Sequence, residues 1–158
     1  MSDQPVRFEE YLNARMPALY RYACTLTGNP HDAQDIVHDA LIRVGRAWWR
    51  IRHKDSPERY VRTAILRQYL NQFRKHRDIP VATTPEHGAD DPGLAEVDAD
   101  LPAMLAGLPP RMRAVLVLRY VEQLTDSEAA EVLGCTTGTV RSQLSRARAK
   151  LRASHTEA

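Results

Sequence analysis

A chain of 158 residues, 43% hydrophobic and 27% charged with a net charge of +2, can form one ordinary domain or two small ones. The charge is unevenly spread: 14 Lys and Arg accompany 8 Asp and Glu over residues 1–77, none accompanies 7 over 78–100, and 8 accompany 5 over 101–158. Two cysteines, Cys24 and Cys135, build neither a disulfide framework nor a Cys-x-x-Cys site, and no stretch resembles a signal peptide or a bilayer-length apolar run, so a cytoplasmic protein away from membranes is expected.

In chain order, Phe8 to Leu26 reads as a helix turning Phe8, Leu12, Leu19, Tyr22, Ala23 and Leu26 to a core, closed by Gly28, Asn29 and Pro30. A second helix, HDAQDIVHDALIRVGRAWWRI, buries Val37, Ala40, Leu41, Val44 and Trp48 and lines up Asp32, Asp35 and Asp39 on another face. Acids in the first turns of a helix suit its dipole, which accounts for them without any partner. The sharper reading is a partner-binding face that demands negative charge, with Ile36 as its apolar anchor. His31 and His38 stand seven apart without a carboxylate arrangement of the His-Glu-x-x-His kind, so no metal and no cofactor are expected.

From Arg43 to Arg77 there are 11 basic residues against Asp55 and Glu58, interleaved with Trp48, Trp49, Tyr60, Tyr69 and Phe73. Cations that hold a phosphate backbone, set among rings that accept unstacked bases at about 1–3 kcal/mol each, suit single-stranded nucleic acid. Helical spacing assigns Trp48 to the core, together with Val61, Ile65, Leu66 and Tyr69 of a helix begun at Ser56 and Pro57, leaving Trp49, Tyr60 and Phe73 as the exposed rings.

Residues 78–100, DIPVATTPEHGADDPGLAEVDAD, hold three prolines, two glycines and no apolar periodicity, and read as a linker. Flexible, it would span roughly 25 Å on average. Its acidity serves solubility or imitates nucleic acid towards a basic channel.

The last third is the most legible. Thr125 followed by Glu128 has the spacing of a capping box, Ala129, Ala130, Val132 and Leu133 form a small apolar face, and Gly134 sits where a helix ends in a left-handed residue. After Cys135, Thr136 caps a second helix whose Val140, Leu144, Ala147 and Leu151 face inwards. Its other face carries Thr137, Thr139, Arg141, Ser142, Ser145, Arg146 and Arg148 without an acid. Guanidiniums pair with guanine edges or phosphates, and hydroxyls approach backbone oxygens, so this helix-turn-helix suits a DNA major groove. Gly138, costly in a helix by about 1 kcal/mol, suggests close approach to DNA or to the preceding helix. An amphipathic hairpin with a solvated basic face is the plain alternative.

These segments resemble the extracytoplasmic-function group of sigma-70-family RNA polymerase sigma factors. LPPRMRAVLVLRY with LTDSEAAEVLGCTTGTVRSQLSRARAKL is similar to region four, DAQDIVHDALIRVGRAW to the polymerase-binding helix of region two, and PERYVRTAILRQYLNQFRKHR to the promoter-melting helix. The length is similar to that of the compact actinobacterial subgroup. The resemblance implies an all-α protein of two small helical domains, region two in 1–77 and region four in 101–158, joined by the 78–100 linker. It further implies docking on the clamp helices of the polymerase beta-prime subunit by Asp32, Asp35, Ile36, His38, Asp39 and Arg43. Melting of the minus-ten element would fall to Arg62, Arg67, Asn71, Arg74 and Lys75, beside the rings of Trp49, Tyr60 and Phe73. Reading of the minus-thirty-five element would fall to the face from Thr137 to Arg148. An anti-sigma factor is a further partner the family allows. His38 stands where the family commonly has Gln and Leu41 where Phe is frequent, departures that would tune polymerase affinity; Arg67 stands where an Asn is often found, so no flipped-base pocket is assigned.

Two other functions compete. A helix-turn-helix regulator that never joins polymerase would need no acidic docking helix and would usually carry a sensor or dimerisation domain. A nuclease using Asp32, Asp35 and Asp39 with a divalent metal would need a catalytic base that the helix lacks.

Overall fold

In the computed structural model, residues 7–54, 56–76 and 105–156 are described; the side chains of 74–76 and 154–156 and the whole acidic stretch 78–100 lie outside that description. The chain divides into two compact units, Met1–Val97 and Asp98–Ala158. Among the described residues all regular structure is helical.

The first unit packs three helices, α1 (Phe8–Thr27), α2 (Pro30–Ile51) and α3 (Pro57–His76), each against the other two. Gly28 ends α1 in the left-handed region at φ 67°, its amide donating to the Cys24 carbonyl at 2.8 Å. Asn29 and Pro30 do more than stop α1. The Asn29 side chain accepts from the amides of His31 and Asp32 at 2.9 and 3.3 Å, and Pro30 begins α2 where its missing N–H costs nothing.

The core takes Leu19, Tyr22, Ala23 and Leu26 from α1, Val37, Ala40, Leu41, Val44 and Trp48 from α2, and Val61, Ile65, Leu66 and Tyr69 from α3. Phe8 and Tyr11 close over Trp48 with ring centroids 5.3 and 5.0 Å away. Gly45 makes room for this: a Cβ there would sit 3.0 Å from Phe8 Cε2. Arg15 of α1 grips the Glu58 carboxylate of α3 with two nitrogens, the Nη2 contact at 2.8 Å. Burial, with the nearby Glu58 carboxylate, pushes the Tyr11 hydroxyl up to about 12.

One expectation is corrected here. Ile36, read as an exposed apolar anchor, is 0% exposed. Because α2 packs against both α1 and α3, its buried arc spans two adjacent rows, and Ala33 and Ile36 join Val37, Ala40 and Val44 inside.

The second unit begins with α4 (Pro110–Leu116), which widens into a π turn over Val117–Val121. The Glu122 amide reaches back five residues to the Val117 carbonyl at 3.0 Å, and Gln123 takes a positive φ of 59°. Helices α5 (Asp126–Leu133) and α6 (Thr137–Thr156) follow, and α4 and α5 both pack on α6. The capping box forms in both directions: the Thr125 hydroxyl accepts from the Glu128 amide at 3.1 Å and the Glu128 carboxylate from the Thr125 amide at 3.0 Å. Gly134 leaves α5 at φ 67° and Thr136 Oγ1 accepts from the Thr139 amide at 3.1 Å, giving a tight turn. Ala129, Ala130, Val140, Leu144 and Ala147 are buried; Val132, Leu133 and Leu151 are half-buried.

Candidate functional site

Two surfaces carry the chemistry, one in each unit. On α2, residues three, four and seven apart share a face. Asp32, Asp35, His38, Asp39 and Arg43 are all exposed. The apolar residue on the acidic row is Ile42, 44% exposed, with Trp49, 67% exposed, one heptad further along. Ile42 escaped the sequence reading because Ile36 was assigned its place; the signal was its spacing of seven from Asp35 and of three from Asp39. The Asp39 carboxylate also accepts from Gln68 Nε2 of α3 at 3.4 Å.

Of the rings expected to be exposed, Trp49, Tyr60 and Phe73 all are. Trp49 falls in line with Asp35 and Ile42 on α2, whereas Tyr60 and Phe73 belong to α3. Lys54 Nζ lies 5.9 Å from the Tyr60 ring centroid, and Phe73 packs edge-on against Tyr69 at 5.0 Å. Arg67 is exposed and Asn71 half-buried. Arg62 is engaged within the bundle, 3.6 Å from the Glu58 carboxylate and 5.2 Å above the Tyr22 ring. The side chains of Arg74 and Lys75 lie outside the described residues.

In the second unit Thr137, Arg141, Ser142, Ser145, Arg146 and Arg148 stand exposed along α6. Thr139 is half-buried because its hydroxyl lies 3.0 Å from Thr136 Oγ1, closing the cap. Arg148 stacks 5.6 Å from the Tyr120 ring centroid and donates to the Tyr120 hydroxyl, through Nε at 2.9 Å, tying α6 to the π turn. Arg141 Nε donates to Asp126 Oδ2 at 3.2 Å, while Arg119 Nε lies 2.9 Å from Asp126 Oδ1. Arg119, Asp126, Arg141, Ser145, Arg148 and Arg152 surround an open pocket of about 370 Å³. Sequence spacing did not reveal Arg119 or Asp126, because they reach α6 through the fold and not along a helix face. The glycine reading is narrowed: at Gly138 a Cβ would meet nothing closer than Thr136 Oγ1 at 3.8 Å, so α5 does not crowd it.

Among the described residues no three His, Cys, Asp or Glu side chains converge as a metal site, and no helix is long and apolar enough to cross a membrane. Chemically, an exposed helix face bearing acids in one unit suits a protein partner, and a helix face bearing guanidiniums and hydroxyls in the other suits DNA. Comparison with known proteins agrees. Residues 12–79 match the family model "Sigma-70 region 2" and residues 98–151 match "Sigma-70, region 4". The RNA polymerase sigma-E factor of Streptomyces coelicolor is 38% identical over 150 residues, covering 93% of this chain and 85% of that protein. The ECF RNA polymerase sigma factor SigE of Mycolicibacterium smegmatis is 32% identical, covering 92% and 60%. Among solved structures, the sigma factor RpoE of Bartonella quintana, in complex with the anti-sigma factor NepR, aligns with a TM-score of 0.66 at 25% identity, covering 92% of this chain and 94% of that one.

The chain therefore belongs to the sigma-70 family, in its extracytoplasmic-function group, and is a sigma factor that binds core RNA polymerase and directs promoter-specific initiation.

Proposed function

We propose a division of labour within that role. Residues 1–77 dock on polymerase and open the minus-ten element, 78–100 form an acidic tether, and 101–158 read the minus-thirty-five element. Asp32, Asp35, His38, Asp39 and Arg43 meet the clamp helices of the beta-prime subunit, with Ile42 as the apolar contact and Trp49 extending the same row. Tyr60, Arg67, Asn71 and Phe73, with Arg74 and Lys75, lie along the opening strand; Arg62 steadies the bundle from within. Thr137, Arg141, Ser142, Ser145 and Arg146 read or clasp the upstream duplex, and Arg148, held by Tyr120, takes a phosphate. The chain supplies no catalytic group, since nucleotide chemistry belongs to polymerase, and it works in the cytoplasm where polymerase is found.

The observation that carries this reading is that Asp32, Asp35 and Asp39 stand exposed on the same side of α2 as Ile42, an apolar side chain left 44% exposed. A regulator that never joins polymerase has no use for that face. An anti-sigma factor is a third proposed partner, as for the Bartonella quintana relative solved with one.

The test is charge reversal. A chain carrying Asp35→Lys and Asp39→Lys should lose core polymerase in a pull-down while keeping its circular dichroism and its salt-sensitive binding to duplex DNA. Retention of polymerase by the double variant would remove the docking role.

A further inference from the structure

Among the described residues, Asp126, the first of α5, is the one carboxylate lining the arginine-rich pocket of the second unit. Its two oxygens are divided between two guanidiniums: Oδ1 lies 2.9 Å from Arg119 Nε and Oδ2 accepts from Arg141 Nε at 3.2 Å. The carboxylate is 24% exposed and Arg141 is 71% exposed, so the acid is sheltered beneath the cation that projects towards solvent. Arg119 is anchored independently, its Nη1 donating to the Leu124 carbonyl. The arrangement runs from a fixed arginine, through a sheltered carboxylate, to an outward arginine on the reader helix.

The geometry points to Asp126 as a positioning and specificity-determining residue for DNA reading, acting through Arg141; this rests on the proposed role of α6 as the upstream reader. Three consequences follow from the contact. Because Asp126 takes the Nε of Arg141, both terminal amino groups remain for a guanine O6/N7 pair, which needs two parallel donors. Because one end of the fork is held, the arginine has fewer rotamers to lose on binding, which favours the one geometry in which a base edge accepts both bonds. And because a negative charge sits beside two guanidiniums, their attraction to any phosphate that passes is lowered, so sequence-independent binding falls while base contact is kept. A carboxylate here works against non-specific DNA more than against the cognate duplex.

A purely structural role predicts something else. At the first position of α5, Asp126 also complements the helix dipole, and its loss on that account alone lowers thermal stability without altering how affinity responds to salt.

The experiment compares wild-type chain with Asp126→Asn, each joined to core polymerase, on two probes: a promoter duplex selected from genomic fragments by the wild-type holoenzyme, and a random-sequence duplex of equal length. Asp126→Asn should bind the random duplex roughly three- to tenfold more tightly at low salt, with a log–log salt slope steeper by about 1, as one added phosphate contact requires. Its preference for the promoter over the random duplex should fall about tenfold. Adding Arg141→Ala should abolish the steeper slope. Unchanged slope and preference in Asp126→Asn, with a wild type that discriminates normally, would overturn the inference alone. So would a steeper slope that survives Arg141→Ala, since the released cation would then be Arg119. A wild-type holoenzyme with no promoter preference would instead overturn the reader assignment itself.

Discussion

Arg141 and Arg146 project from α6, each a planar donor fork on a helix face that, among the described residues, carries cations and hydroxyls without an acid. Replacing either with alanine should weaken promoter binding by about 1–3 kcal/mol if it contacts a base edge, measured by titration at fixed salt. Unchanged transcription from the cognate promoter after both replacements would reject the assignment. Tyr11 offers a different test, of the first unit's packing. Its hydroxyl is raised to about 12 in the folded chain from an ordinary 10, chiefly by burial and then by Glu58. Between those values the folded form holds a proton that the unfolded chain has released, so stability falls as pH rises from about 10 to about 12. Tyr11→Phe should remove its share of that decline, read as the shift in urea midpoint between pH 9 and pH 11.

At the scale of elements, the second unit's turn depends on two local devices. Thr125→Ala removes the hydroxyl that accepts from the Glu128 amide, leaving the backbone half of the capping box, and should cost about 1 kcal/mol of stability. Gly134→Ala forces a side chain into the left-handed region and should cost about 1–2 kcal/mol although nothing crowds the position. Thermal unfolding of the two variants checks both figures, and a neutral Gly134→Ala would mean that the turn relaxes. These features were legible in the sequence because they are written within a few residues of one another. Residues whose role is set by a neighbouring helix were not. The assignment of Ile36 failed since the width of the α2 stripe depends on how many helices pack on it, and Asn29 looked like a stop signal when it is equally the cap of the next helix. No periodicity announces the π turn after Leu116, and Asp126 and Arg141, 15 residues apart, meet only once the turn between them is formed.

For the whole molecule, the separation of charge is the central physical fact. On the proposed division of labour, the acids on one row of α2 hold a protein and the cations on α3 and α6 hold nucleic acid. The basic surfaces should lose affinity steeply with salt when offered single strands or duplex, whereas docking through the Ile42 and Trp49 row should resist salt better because apolar contact is not screened. Comparing the two dependences on the full chain separates the surfaces without mutation. Equal salt sensitivity of polymerase and DNA binding would argue that docking is wholly electrostatic.

The central claim is that this chain turns core polymerase into a promoter-reading enzyme. Reconstitution with core polymerase followed by run-off transcription on fragments of its own genome tests it most directly. Defined transcripts that start at fixed positions, and that vanish when Asp35 and Asp39 are both reversed to lysine, are the predicted result. A chain that joins polymerase yet starts RNA nowhere in that genome, or that starts it equally well after the reversal, would contradict the account.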